Sequence, residues 1–304
     1  MLSVLVMLGA AVLSFFLLAL APGNTAEAIL SMERADLPKL EEVQDFMERH
    51  SLKRPILLQL SQWLGMVGKG SLGTSLRTGR PVAEEFWTRF PATLLLATAS
   101  VVLAVIIAIP LGVISAVKRN SLLDHCIRIV SLWGVSTPNF WLGLLLILIL
   151  GVQLRWFPTY GYGGLKHLIL PAITLGTAMT AILTRFQRAT MLEVLNKNYI
   201  RTAKAKGLKA SAVIGKHAFR NTLVPVVTII GMQFAHLLSG VVIVEAVFAW
   251  PGIGHFLVDS INARDYPAIQ GFVLMIAFFM VFTNLVVDIL YAFLDPCICC
   301  GGFR

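Results

Sequence analysis

The chain has 304 residues, of which 57% are hydrophobic and only 13% charged, with a formal net charge of +9. Soluble domains carry about 25% charged residues, so this composition excludes an ordinary water-soluble domain. The positive excess needs no nucleic acid to explain it, and no nucleic-acid partner is expected.

Six apolar runs follow one another at about 2–20, 92–117, 125–150, 168–190, 222–246 and 268–292. Each approaches or exceeds the roughly 20 residues that a helix needs to cross a bilayer. Strands are a poor fit, because a membrane barrel alternates apolar and polar side chains. The second run, LLLATASVVLAVIIAIPLGVISAV, is apolar all round. Helices satisfy their own backbone groups where no water is available. The expectation is therefore an all-α, polytopic membrane protein with six transmembrane helices. Pro110, Pro138, Pro171 and Pro225 lie in or beside these runs, and each marks a kink or a helix start.

The first run lacks a cationic leader and exceeds the 7–15 apolar residues of a signal peptide. It reads as a retained helix, transmembrane helix 1, within residues 1–21. Residues 22–91 hold nine cations and nine acids, so the whole net charge sits elsewhere. In this segment LPKLEEVQDFMER predicts one helix and PILLQLSQWLGMV, opened by proline, predicts another. KGSLGTSLRTGRPV is turn-rich, and VAEEFWTRF predicts an amphipathic helix leading into the second run.

Lys and Arg concentrate in cytoplasmic loops. Lys118 and Arg119 follow the second run. Lys197, Arg201, Lys204, Lys206, Lys209, Lys216 and Arg220 follow the fourth, whose own end carries Arg185 and Arg188. The loops after the third and fifth runs are poor in cations. This asymmetry places segment 22–91 outside, the segment 191–221 inside, and both termini in the cytoplasm. Residues 92–294 form the expected core and 295–304 a cytoplasmic tail.

Chemistry-bearing motifs are scarce. There is no HExxH helix, GxSxG elbow or GxxxxGK[ST] phosphate loop. The chain should not be an enzyme and should hold no cofactor of its own. Cys297, Cys299 and Cys300 crowd the tail as CICC, which suits a soft metal only if further ligands join them; no metal site is assigned. No outward loop carries a cysteine, so no disulfide is expected. His236 lies inside the fifth run, and an ionisable group at that depth is a candidate for a substrate path. Glu245, near the end of the same run, and Asn139, within the third run, join it as possible path residues. TYGYG at 159–163 resembles a potassium-channel filter, but RWFP before it is a turn and no pore helix precedes it. A turn joining two helices is the better reading.

Segment 192–225, LEVLNKNYIRTAKAKGLKASAVIGKHAFRNTLVP, is the longest polar break after residue 100. Ala203, Lys204 and Ala205 favour helix and Gly207 ends or bends it. Such a helix puts Tyr199, Ala203 and Gly207 at i, i+4 and i+8, on roughly one face. Small residues there let another backbone approach. The residues alone support either a docking element for a cytosolic partner or a plain positive-inside loop.

This stretch resembles the cytoplasmic loop of bacterial ABC-importer permeases, whose pattern is E-A-A-x3-G. Arg201-Thr202-Ala203-x3-Gly207 keeps the last alanine and the glycine and departs at the first two positions, as the dipeptide/oligopeptide/nickel branch does. The general family has proline 13 residues after the glycine. Arg220 stands there, and Pro225 follows later within HAFRNTLVP. SLGTSLRTGRPV, RFPATLLL, STPNFWLGLLL, YGYGG, HLILPAITLG, VFAWPGIG and RDYPAIQ add to the resemblance in order, over almost the whole chain. The shortened N-terminus and the CICCGGFR tail depart from it.

The resemblance implies the ABC importer permease fold with a large extracytoplasmic loop between helices 1 and 2, in a bacterial or archaeal cytoplasmic membrane. It implies a second homologous permease subunit, two cytosolic ATPase subunits that bind ATP and Mg, an extracytoplasmic solute-binding protein, and membrane lipid around the helices. Tyr199, Ile200, Arg201, Thr202, Ala203, Lys204, Gly207 and Leu208 would form the ATPase-coupling loop. The expected cargo is a small peptide, dipeptide, oligopeptide or glutathione-like. Nickel or a nickel chelate is the alternative, and a passive channel a distant one. An intramembrane enzyme would need paired catalytic groups that the runs do not offer.

Overall fold

The computed structural model describes residues 2–20, 25–33, 38–50 and 52–294. The side chains of a few positions inside helices, His236 and Asp288 among them, lie outside that description, as does the CICC tail. In chain order the helices are α1 (Leu2–Leu20), α2 (Thr25–Glu33), α3 (Leu40–Arg49), α4 (Ile56–Gly68), α5 (Val82–Val117), α6 (Leu122–Ser136) and α7 (Asn139–Leu146). A π-helix, Ile147–Gln153, extends α7. Then come α8 (Leu165–Leu195), α9 (Asn198–Ala205) and the short α10 (Ala210–Ala212), extended by a second π-helix, Val213–Phe219. The last are α11 (Arg220–Val247), α12 (Ile253–Asn262) and α13 (Tyr266–Leu294). Among the described residues the only β pairing is an isolated antiparallel bridge, Thr74 with Pro81.

By length and composition α5, α8 and Tyr266–Val287 of α13 can each cross a bilayer alone. The α1–α2 pair and the α6–α7 pair each qualify only as a bent unit, which makes three crossings, or up to five, among the described residues. The expected span over 125–150 is not one straight helix: its two halves meet at 104°. The cause is local. Pro138 bars its predecessor from helical backbone, so Thr137 is extended (φ −84°, ψ 122°) and its hydroxyl donates back to the Trp133 carbonyl. α7 then starts afresh after Pro138. VAEEFWTRF, expected as an amphipathic helix leading into the second run, is the first part of α5 itself and continuous with that run.

The chain divides into two compact units, Met1–Thr93 with Pro251–Phe282, and Leu94–Trp250 with Thr283–Arg304. The core of the first unit is aromatic. Phe86 and Phe90 of α5 pack on Phe272 and Phe279 of α13, with ring centroids 4.5–5.6 Å apart. Phe256 of α12 joins them, and the Arg89 guanidinium lies 4.0 Å from its ring centroid, a cation–π arrangement. The loop 71–81 is held by one buried carboxylate. Asp265 accepts hydrogen bonds from Ser75 Oγ and from the Leu76 and Arg77 N–H groups, and also caps α13 through the Ala268 N–H. Thr93 Oγ1 accepts the Ile253 N–H at 2.9 Å, fixing the start of α12.

In the second unit α8 is central, packing on α6, α7 and α11. Its approach to α5 is close enough to require glycine. A Cβ at Gly176 would sit 2.9 Å from the Ser100 carbonyl oxygen. The YGYGG stretch is the expected turn, and it is anchored: Gly161 N–H donates to the Phe248 carbonyl at 2.9 Å, and Tyr162 packs edge-on against Trp250.

Candidate functional site

An eight-residue helix has little stability alone, because nucleation is costly. α9 is held by its seat. Ile200 (0% exposed) and Ala203 (8%) face a cluster made by Met191 and Val194 of α8, Ala116 of α5, and Val213 and Ala218 of the π-helix 213–219. Burying an isoleucine contributes about 1.5–3 kcal/mol, enough to fix so short an element. The end of α9 follows from Gly207, whose φ of +76° is open to glycine at little cost. Gly207 N–H donates to the Lys204 carbonyl and Leu208 N–H to the Ala203 carbonyl, a Schellman closure.

This seat corrects one expectation. Tyr199, Ala203 and Gly207 do not act as one outward face. Ala203 is turned into the chain's own core together with Ile200, while Arg201, Thr202, Lys204 and Ala205 are exposed. The small outward residue is Ala205, which the sequence pattern did not single out. Tyr199 (45% exposed) accepts a hydrogen bond at its hydroxyl from Asn221 Nδ2, and Leu208 stays 43% exposed. Immediately before α9, Lys197 Nζ lies 2.9 Å from Glu193 Oε1. That hydrogen bond raises the lysine pKa above its ordinary value.

One turn from the seat, a buried ion pair joins three elements. Arg188 of α8 donates to both oxygens of Asp124 at 2.8 Å each. Asp124 also accepts Ser115 Oγ–H from the end of α5 and the N–H of Asn120 in the α5–α6 turn. Neither Asp124 nor Ser115 is exposed. Such a bidentate, fully hydrogen-bonded pair is among the stronger polar contacts. Beside it Gln187, also fully buried, donates to Thr222 Oγ1 of α11 at 3.0 Å. The α8 segment that leads into α9 is thus bolted to α5, α6 and α11 by polar groups as well as by apolar packing.

The three possible path residues stand on two helices, α7 and α11. Asn139 opens α7 and is half-buried. Glu245 is fully buried near the end of α11, and α11 packs on α7. His236 lies on α11 with its side chain outside the described residues. Among the described residues no group of three His, Cys, Asp or Glu is placed to hold a metal ion. Cys126 is exposed and free.

Comparison with known proteins bears on this arrangement. Residues 108–298 match the family described as "Binding-protein-dependent transport system inner membrane component". The oligopeptide transport system permease protein AppB of Bacillus subtilis is 43% identical, over 97% of this chain and 96% of its own. The dipeptide transport system permease protein DppB of Alkalihalophilus pseudofirmus is 38% identical, over 96% and 95%. The glutathione transport system permease protein GsiC of Escherichia coli K12 is 42% identical, over 94% and 92%. These relatives carry peptide or glutathione names, and the nickel alternative is not favoured. Among solved structures, an amino acid ABC transporter with histidines shares the fold, with a TM-score of 0.54 and 14% identity, over 69% of this chain and 94% of that one. The matched family spans the α8–α9 seat, the buried ion pair and α11 alike, and the relatives cover nearly the whole chain: this protein belongs to the inner-membrane permease components of binding-protein-dependent ABC transport systems.

Proposed function

We propose that the chain is the permease subunit of an importer for small peptides, including glutathione-like ones, driven by ATP hydrolysis in partner subunits. Its expected partners are a second homologous permease, two cytosolic ATPases and an extracytoplasmic solute-binding protein. Both termini and segment 191–221 face the cytoplasm in this reading, and six crossings carry the alternating motion. Full-length likeness to peptide and glutathione permeases supports the cargo class.

The observation that carries the mechanism is the rigid seating of α9. A lever must be stiff on its own side and complementary on the other. Ile200 and Ala203 supply the first requirement. The exposed Arg201, Thr202, Lys204 and Ala205, with Tyr199 and Leu208 at the edges, supply the second. ATPase closure would push α9, and the cluster beneath would pass the displacement to α8, α5 and α11. His236, Glu245 and Asn139 are proposed to line the path.

The test uses the complete importer in proteoliposomes. Ala205→Trp should lower peptide moved per ATP hydrolysed by about tenfold, a coupling loss of ordinary allosteric size. Hydrolysis itself should continue. Normal transport by both Ala205→Trp and Leu208→Asp would remove the coupling assignment. Peptide flux in the absence of the ATPases would instead favour a passive channel.

A further inference from the structure

An open cleft of about 420 Å³ lies between α6 and α8 in the second unit. Its walls are His125, Arg128, Ile129 and Leu132 from α6, and Arg185 and Arg188 from α8. The four α6 residues are spaced i, i+3, i+4, i+7 and form one stripe. The stripe changes character along its length, from imidazole and guanidinium to two aliphatic side chains.

The charges in this cleft do not cancel. Arg188 is committed to Asp124. Asp124 in turn is saturated by Ser115, Asn120 and Arg188. The sequence between Leu94 and Trp250 holds only two other acids, Glu193 and Glu245. Glu193 is paired with Lys197. Among the described residues Arg128 and Arg185 form no ion pair, and both are exposed. Arginines within a membrane span are costly unless an anion, a carbonyl or water meets them.

The surroundings select the kind of anion. α6 turns Leu122 (85% exposed), Val130 (69%) and Trp133 (72%) outward, and Ile129 and Leu132 of the cleft are 59% and 56% exposed. A helix so apolar on its outer sides borders lipid. An anion reaching the two free guanidiniums from that side arrives attached to hydrocarbon. Basic pockets between spans on the cytoplasmic side suit phospholipid headgroups, and long arginine stems can run along apolar surface while the head group stays polar.

The geometry points to a binding site for one anionic phospholipid of the inner leaflet, its phosphodiester held between Arg128 and Arg185 and an acyl chain laid along Ile129 and Leu132. The inference rests on the proposed orientation, which puts the α9 end of α8 at the cytoplasmic face. Held there, the lipid would neutralise the cleft beside the Asp124–Arg188 pair.

The experiment takes the complete importer in nanodiscs containing phosphatidylglycerol and phosphatidylcholine, exchanges it into detergent, and measures retained lipid by native mass spectrometry. Wild type should keep one phosphatidylglycerol. R128Q/R185Q should retain roughly tenfold less or lower, and R128K/R185K should keep most of it. Equal retention by R128Q/R185Q and wild type overturns the proposal. So does displacement by inorganic phosphate, or by a peptide with a free carboxylate but not by its amide, since each makes the cleft a soluble-anion site. Failure of R128Q/R185Q to assemble with the second permease also overturns it, because the arginines then hold a protein. ATP-driven peptide uptake is followed in parallel. A wild-type complex that keeps the lipid yet moves no peptide removes the transport reading and leaves the lipid site supported.

Discussion

Asp265 and Asp124 are both fully buried, and each holds a turn in a different unit of the chain. Asp265 does so with neutral donors: one hydroxyl and three backbone N–H groups. Asp124 takes one hydroxyl, one backbone N–H and a bidentate guanidinium. The first clasp joins a loop to the start of a helix, and losing one donor leaves three. The second joins α5, the α5–α6 turn and α8, and losing its arginine strands a carboxylate away from water. The strength of the second fixing is therefore inseparable from its vulnerability. It stands one turn from the seat of α9, where the proposed coupling role calls for a stiff connection.

That contrast can be broken at several points. The largest effect is expected from Arg188→Leu, which leaves Asp124 buried without its partner and should cost about 3–5 kcal/mol. Asp124→Leu with Arg188→Leu should recover most of that loss, because hydrophobic replacement of a whole buried pair is often nearly neutral. Thermal melting of the purified complex measures both, and a double variant no more stable than the single one would contradict this account.

Asp265→Ala should cost about 2–3 kcal/mol, from a lost cap and stranded donors. Tryptic cleavage after Arg77 and Arg80 should quicken in the same variant. Unchanged cleavage there would mean that the loop is held by something other than this carboxylate.

Next in size is a pair on one helix. Ala203→Trp overfills the seat and should cost about 1–3 kcal/mol, whereas Ala205→Trp on the outer face should stay within about 0.5 kcal/mol. If the two melt alike, α9 is not seated as described. The smallest effect belongs to Glu193→Gln beside the exposed Lys197, where at most a slight loss in melting at neutral pH is expected. The sign is fixed by the raised lysine pKa. Whatever the pair contributes is fully present below the unfolded lysine pKa and fades as pH rises through the folded one, so wild type and variant should converge in alkali. A variant that separates from wild type only at alkaline pH would be inconsistent with that linkage.

Much of the local structure was legible in the chain. The helix at 198–205 and its glycine stop follow from Ala203, Ala205 and Gly207, whose preferences act within a few residues. The break at Pro138 is a local property too, although a hydropathy average runs straight across it. The inward turn of Ala203 was not legible, because a face is named only when the neighbour that covers it is known. Neither was the importance of Asp124 and Arg128. Both sit at the edge of an apolar run, where charge commonly means only proximity to water. Arg188, which pairs with Asp124, and Arg185, which shares a cleft with Arg128, are each about sixty residues away along the chain. YGYGG and VFAWPGIG were noticed as separate motifs, and only the folded chain shows that Gly161 and Tyr162 of one rest on Phe248 and Trp250 of the other.

The sequence by itself determined that this is a helical membrane protein, where α9 stops, and to which transport family it belongs. Those properties depend on hydropathy, proline, glycine and short motifs, each read within a turn or two of chain. The tertiary structure decided which side of α9 is anchored, which arginine of the cleft is neutralised and which two form no ion pair among the described residues. Burial and charge compensation are set by residues brought together from distant parts of the chain, and no local pattern encodes them.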